Sequence, residues 1–310
     1  MREITVNKND ANQRVDKFLS KALPKLPKNL MYKYIRNKKI KVNGKRCQID
    51  QRLEENDILR LYIAEEFFDV EKDTTFLQVN SDIDVVYEDE NIIVMNKPVG
   101  LLTHGDIHES SDTLVNRMKK YLYEKSEYHY EDEQSFTPSL AHRIDRNTQG
   151  LVIGAKNAES LREVNRFIRE GYIDKFYLAL IEGILPKKHD TWVHYHKKEN
   201  QKIEISKNLK VGSKEVKLEY KVLDVRNKIS LVEVELHSGK SHQIRAQFAS
   251  EGYPLLGDFR YGAGKKDFIY QALCAYRLCF HVQDESPLAY LNDKEIKLTS
   301  IILLDYFKTL

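Results

Sequence analysis

The residues best equipped for chemistry stand together between Ala141 and Asn157, in the stretch AHRIDRNTQGLVIGAKN. There Asp145 is set between Arg143 and Arg146, one carboxylate flanked by two guanidinium groups. The turn Asn147-Thr148-Gln149-Gly150 follows, and then the apolar run Leu151-Val152-Ile153. A short apolar run bounded by a turn predicts a buried strand. A charged loop at the lip of a core strand is a usual place for binding and catalytic groups. By itself, an Arg-x-Asp-Arg pattern is most often a surface ion pair worth little.

Other chemistries are poorly provided for. The sequence has no Gly-rich phosphate loop, no zinc-type Cys/His spacing and no Ser-His-Asp constellation. Cys47, Cys274 and Cys279 read as reduced structural thiols of an intracellular protein. His104 and His108 are four apart but lack a carboxylate at matching helical spacing, so they are not read as metal ligands. One carboxylate, several cations and aromatic rings remain, and no cofactor is expected.

These groups must be held by a folded body. The chain has 310 residues, 41% hydrophobic and 31% charged, enough for one large and one small domain. No run approaches membrane-span length and no signal-peptide pattern opens it, so a cytoplasmic protein is expected. The net charge of +3 conceals an asymmetry. Residues 1–65 carry 16 Lys and Arg against eight Asp and Glu, whereas the remainder carries 34 against 39. A basic arm on a less basic body suggests nucleic-acid binding.

Within that arm Val15, Phe18, Leu19, Ala22 and Leu23 mark one face of a helix, which Pro24 and Pro27 end. A second helix is predicted from Lys28 to Asn37, with Lys28, Lys33 and Arg36 outward and Lys38, Lys39 and Lys41 following. Asn43-Gly44 signals a hairpin turn, followed by Lys45 and Arg46. Strands are predicted around 85–87, 92–95, 175–183 and through 184–236, with helices at 113–123 and 161–171. Residues 123–138 read as a mobile acidic loop. His189, His194 and His196 read as surface residues, Trp192 as a packing residue, and the segments 275–282 and 295–304 as further strands.

Several blocks resemble the RluA-type pseudouridine synthases. His142-Arg143-Ile144-Asp145-Arg146-Asn147-Thr148-Gln149-Gly150-Leu151 is similar to that family's signature, with Ile144 and Gln149 where Leu and Ser are usual. Asn96-Lys97-Pro98-Val99-Gly100-Leu101-Leu102-Thr103-His104, Lys175-Phe176-Tyr177-Leu178-Ala179 and Gly239-Lys240-Ser241-His242-Gln243-Ile244-Arg245 resemble three more. Gly252-Tyr253-Pro254-Leu255-Leu256-Gly257-Asp258 with Tyr261-Gly262 resembles a fifth. The N-terminal pattern resembles the S-four-type RNA-binding domain.

The resemblance implies an α+β protein: a pseudouridine synthase fold built on a mixed, mainly antiparallel sheet, preceded by a small α+β RNA-binding domain. The expected boundaries are 1–70 for that domain, 71–82 for a linker and 83–310 for the catalytic domain. Asp145 would be the catalytic residue, acting as nucleophile on the anomeric carbon or as base beside it. Arg245 would pair with it, Tyr177 would pack on the target base, and Arg143 would insert into the RNA as the base flips. Lys97, left free by a rigid Pro-Gly loop, and His104 would meet RNA, joined by Lys28, Lys33, Arg36, Lys38, Lys39 and Lys45. The substrate would be RNA, most plausibly large-subunit (23S-type) ribosomal RNA, and the protein a monomer. Two rivals remain: a non-catalytic RNA-binding ribosome-assembly factor, and a nucleoside or glycoside hydrolase. The second is disfavoured because such hydrolases usually need two carboxylates.

Overall fold

The computed structural model describes residues 1–69, 71–106, 111–132, 134–200, 202–264, 268–282 and 285–310. The expected small N-terminal unit is present. Strand β1 (Arg2–Thr5) is followed by helices α1 (Val15–Ala22) and α2 (Lys28–Arg36), then strands β2 (Ile40–Val42), β3 (Lys45–Arg46) and β4 (Ile58–Leu61). The sheet order is β1-β4-β2-β3. Val15, Phe18, Leu19, Met31 and Ile35 bury the inner helix faces against Ile40, Leu59 and Leu61. Each such fully buried side chain contributes about 1.5–3 kcal/mol. Asn43 (φ 50) and Gly44 (φ 74) both adopt the left-handed region that a two-residue hairpin turn requires.

The larger body contains β5 (Asp84–Glu88), β6 (Ile92–Lys97), α3 (Leu114–Glu124), β7 (Ser139–Leu140), β8 (Gln149–Ala155), α4 (Ala158–Glu170), β9 (Ile173–Glu182) and β10 (His189–Glu199). Then come β11 (Lys202–Ser206), β12 (Lys214–Arg226), β13 (Ile229–Leu236), α5 (Gln243–Ser250), β14 (Leu273–Phe280), β15 (Glu295–Lys297) and α6 (Ile302–Lys308). Its sheet runs β11-β10-β12-β13-β9-β14-β8-β6-β5, with β15 beside β14 and β7 beside β8. Every ladder among the described residues is antiparallel except β14 with β8, which makes the sheet mixed.

Alternation along the strands sorts side chains onto two cores. On β9, Tyr177, Ala179 and Ile181 face one cluster, while Leu178 and Leu180 face the other. Helix α4 covers the second face through Val164 and Phe167. Its ends are signalled in the sequence: Asn157 accepts a hydrogen bond from the Ser160 amide, and Gly171 takes the left-handed C-terminal position. Gly150 lets β8 lie against β14, because a Cβ there would fall 2.3 Å from the Ala275 carbonyl oxygen.

Three expectations are corrected. Residues 302–308 form helix α6, with Leu303 and Phe307 buried one turn apart, so the strand reading of 295–304 holds only for 295–297. Within 123–138, Tyr128 and Phe136 are buried, which anchors a segment expected to be a mobile loop. His194 and His196 are 3% and 6% exposed and lie inward on β10, whereas His189 is exposed as expected. Trp192 packs edge-on to Tyr220 and Phe248, with both ring centroids 4.8 Å away.

Candidate active site

Asp145 lies in the loop that enters β8, and that loop is sewn to the one leaving β6. The Ile144 carbonyl accepts from the Thr103 hydroxyl at 2.9 Å, and the Arg146 carbonyl from the Gly100 amide at 3.0 Å. The Thr148 amide donates to the Asp145 carbonyl at 3.0 Å, closing a tight turn under the carboxylate. Behind the loop, the His142 Nε2 accepts from the Ile153 amide at 3.2 Å. Burial, reinforced by the Lys175 charge, pushes that imidazole down to about 3, so it is a neutral structural acceptor.

Lys97 completes this stitching, and here the sequence reading is overturned. Its side chain is fully buried, and Nζ donates to the carbonyls of Pro98, Leu101 and Arg146, each at 2.8 Å. All three donors of an ammonium group are thus used. Burial pushes Lys97 down to about 7, against the opposing pull of the Asp145 charge. Lys97 braces the Asp145 loop and, fully buried, is not placed to meet phosphate.

The carboxylate itself meets Arg245 from α5. Arg245 donates from one terminal nitrogen to Asp145 Oδ2 at 2.8 Å. Its other face is clamped by Asp258, with Nε to Oδ2 at 2.6 Å and the second terminal nitrogen to Oδ1 at 2.9 Å. The guanidinium also lies over the Tyr261 ring, 5.2 Å from its centroid. Arg245 and Asp258 side chains are 8% and 1% exposed, while that of Asp145 is 23% exposed. Although burial works against the charge, the hydrogen bonds and charges of Asp258 and Asp145 raise the Arg245 pKa, fixing it as a cation. One oxygen of Asp145 is therefore held by Arg245, while the side chain as a whole stays partly exposed.

His242 and Tyr177 lie nearest to the carboxylate after Arg245. His242 Nε2 lies 4.0 Å from Asp145 Oδ1, and Nδ1 is 3.1 Å from the Tyr261 hydroxyl. Burial lowers the His242 pKa, opposed by the Asp145 charge. Tyr177 stands in the middle of β9 and is only 7% exposed. Burial, then the nearby Asp145 charge, raises the pKa of its hydroxyl and keeps it protonated.

The remaining expected residues lie outside this centre. Arg143 is exposed beside the carboxylate loop. His104 is exposed as a residue, and the partial burial of its ring, together with the Arg143 and Lys119 charges, lowers its pKa. His108 lies outside the described residues. Lys28, Lys33, Arg36, Lys38, Lys39 and Lys45 are all exposed on the N-terminal unit. Lys28 sits 5.8 Å from the Tyr32 ring centroid and Lys39 5.3 Å from that of Tyr34. Cations interleaved with aromatic rings on one face can meet both phosphates and bases. Sequence reasoning assigned no part to Asp258 or Tyr261; their presence in one motif block with fixed spacing after Arg245 was the available signal. Among the described residues, no cluster of three or more His, Cys, Asp or Glu side chains could hold a metal ion.

The chain is similar to known proteins over most of its length. The profile described as RNA pseudouridylate synthase matches residues 91–250, and that described as S4 domain matches residues 13–59. An uncharacterised RNA pseudouridine synthase of Mycoplasma capricolum is 36% identical, over 96% of this chain and 97% of its own length. Ribosomal large subunit pseudouridine synthase C of Buchnera aphidicola is 31% identical, over 84% of this chain and 80% of its own. Among solved structures, human RNA Pseudouridylate Synthase Domain Containing 4 has a TM-score of 0.56 at 17% identity, covering 72% of this chain and 90% of its own, which supports the fold. The chain belongs to the RNA pseudouridylate synthase family, whose members isomerise uridine in RNA to pseudouridine.

Proposed function

We propose that this protein converts specific uridines of large-subunit ribosomal RNA to pseudouridine in the cytoplasm, as a single chain, with Asp145 as the catalytic residue. The observation that supports the reading is the Asp145–Arg245–Asp258 chain, in which a doubly anchored cation holds one oxygen of a partly exposed carboxylate. The unheld oxygen is placed to act on the sugar of a bound nucleotide, as nucleophile at the anomeric carbon or as base at the carbon beside it. Either course breaks the bond to the ring nitrogen and joins the fifth carbon of the same uracil to the sugar, that carbon losing its proton and the freed ring nitrogen gaining one. Nothing is oxidised and no group is transferred away.

A uridine reaches Asp145 only after leaving its stack, which costs a few kcal/mol. Arg143, exposed next to Asp145, is suited to fill the gap in the helix, while Tyr177 meets the extruded base. Residues 1–70 supply affinity through their basic face, 71–82 join the two parts, and 83–310 do the chemistry. The ribosomal assignment rests on the name of the Buchnera relative and on the match to an S4 domain. The test is to incubate the protein with unmodified large-subunit ribosomal RNA and map pseudouridine chemically. Pseudouridine at discrete positions supports the reading; an inert protein favours an assembly factor, and free uracil a hydrolase.

A further inference from the structure

The N-terminal unit does not hang from a tether. Ser135, in the segment after α3, donates its amide to Asp10 Oδ1 at 3.1 Å, and its hydroxyl bonds to the same oxygen. Gln13 Nε2 reaches the Ser135 hydroxyl at 2.7 Å, and Gln134 Nε2 reaches the Thr5 carbonyl at 2.7 Å. Asp10 is fully buried in this seam. A second attachment lies at the exit from the unit. Lys72 Nζ donates to the Tyr130 carbonyl at 2.9 Å, and Phe76 is fully buried among Tyr123, Tyr128 and Tyr130. The basic unit and the stretch that leaves it are therefore each fastened to the catalytic body, at Gln134 and Ser135 and at Tyr123, Tyr128 and Tyr130.

The seam is also conditional. Asp10 Oδ2 and Gln134 Oε1 are buried without a hydrogen-bond partner, two of only five such side-chain atoms among the described residues. Buried acceptors left unpaired oppose the burial that creates them. A contact that retains that cost is specific in geometry and modest in strength.

The consequence concerns which uridine is chosen. A flexible tether with the length of residues 71–82 would let the basic face wander by roughly 17–21 Å. Fastened at two points, that face keeps one offset from Asp145. We propose that the seam formed by Thr5, Asp10 and Gln13 with Gln134 and Ser135 is a specificity clasp: it holds the RNA-binding face at a fixed distance from the active site and so selects uridines lying at one spacing from the bound RNA element. The inference builds on the RNA reading above and adds positioning residues that touch neither substrate nor Asp145.

The test uses the full chain and an unmodified large-subunit ribosomal RNA transcript, comparing wild type, the double variant Gln134→Ala/Ser135→Ala, and Asp10→Asn, which retains the acceptor oxygen. Hydrogen exchange over residues 5–13 and 134–136 reports the state of the seam. The wild type should give two protected RNA patches at one spacing in a hydroxyl-radical footprint. The double variant should exchange faster in both segments, lose the fixed spacing, and discriminate at least tenfold less between target and other uridines. Its turnover on a short stem-loop carrying the target should stay within twofold, and Asp10→Asn should keep the wild-type pattern. An opened seam with an unchanged footprint and unchanged sites overturns the proposal, as does unchanged exchange in the double variant. If the wild type makes no pseudouridine, the functional reading falls, while the footprint still decides this inference.

Discussion

Asp258 offers the most instructive perturbation, because it acts on the carboxylate only through Arg245. The guanidinium makes three charge-assisted hydrogen bonds, two to Asp258 and one to Asp145. Asp258→Asn keeps the shape but removes the charge, leaving a cation 8% exposed with only the more open Asp145 as its ionic partner. Removing one partner of a buried pair costs about 3–5 kcal/mol. At about 2–4 °C per kcal/mol, expected for a domain of this size, melting should fall by about 6–20 °C. Turnover should fall as well, since Arg245 is released to follow Asp145 and the open oxygen loses its fixed direction. The assay pairs calorimetry with single-turnover pseudouridine formation below the melting range, in a cycle with Arg245→Met. The double variant should be less destabilised than the sum of the singles, with a coupling of at least about 1 kcal/mol. Strict additivity, or a cost under about 0.5 kcal/mol for Asp258→Asn with normal turnover, would refute the clamp.

Four further outcomes follow from the same geometry. Lys97→Met should lower turnover more than tenfold while changing RNA affinity less than twofold, because it unlaces the carbonyls of Pro98, Leu101 and Arg146; a large loss of affinity would restore a phosphate-contact role. Because burial lowers Lys97 from 10.5 to about 7, the unfolded chain binds a proton that the native one has lost between those values, so wild-type stability should rise with pH across that window and Lys97→Met should remove that slope. Replacing Lys28, Lys33, Arg36, Lys38, Lys39 and Lys45 by Gln should flatten the dependence of log affinity on log salt by up to about 4–5, and an unchanged slope would show that the basic face is merely solvated. Tyr177→Phe should bind RNA as wild type does, whereas Tyr177→Ala should lose about 1–3 kcal/mol of affinity; equal binding by both would leave Tyr177 an ordinary sheet residue.

What could be read from the sequence divides along physical lines. Local signals served well: the one-sided helices α1 and α2, the Asn43-Gly44 turn and the end of α4 at Gly171 all depend on neighbouring residues. Helix α5 escaped because residues 243–248 are all buried, so it has no polar face to give a helical period. Helix α6 was misread because Ile301-Ile302-Leu303-Leu304 is a continuous apolar run, which cannot separate a strand from a short helix. Lys97 was misplaced because its three acceptors come from two loops 49 residues apart. The Asp145–Arg245 pair spans 100 residues and was legible only through family resemblance. Asp258 stood in view within a motif, but its hold on Arg245 required the folded chain to be seen.

The central claim is that Asp145 performs the chemistry, and Asp145→Asn tests it most directly. Asn is nearly isosteric and can still accept from Arg245 through one oxygen, but it neither attacks the anomeric carbon nor takes a proton efficiently. The variant should melt as a folded protein and bind unmodified large-subunit ribosomal RNA within about tenfold of wild type, or about 1.4 kcal/mol. Chemical mapping should then find no pseudouridine where the wild type forms it. A folded Asp145→Asn variant that still makes pseudouridine would contradict the account at its base.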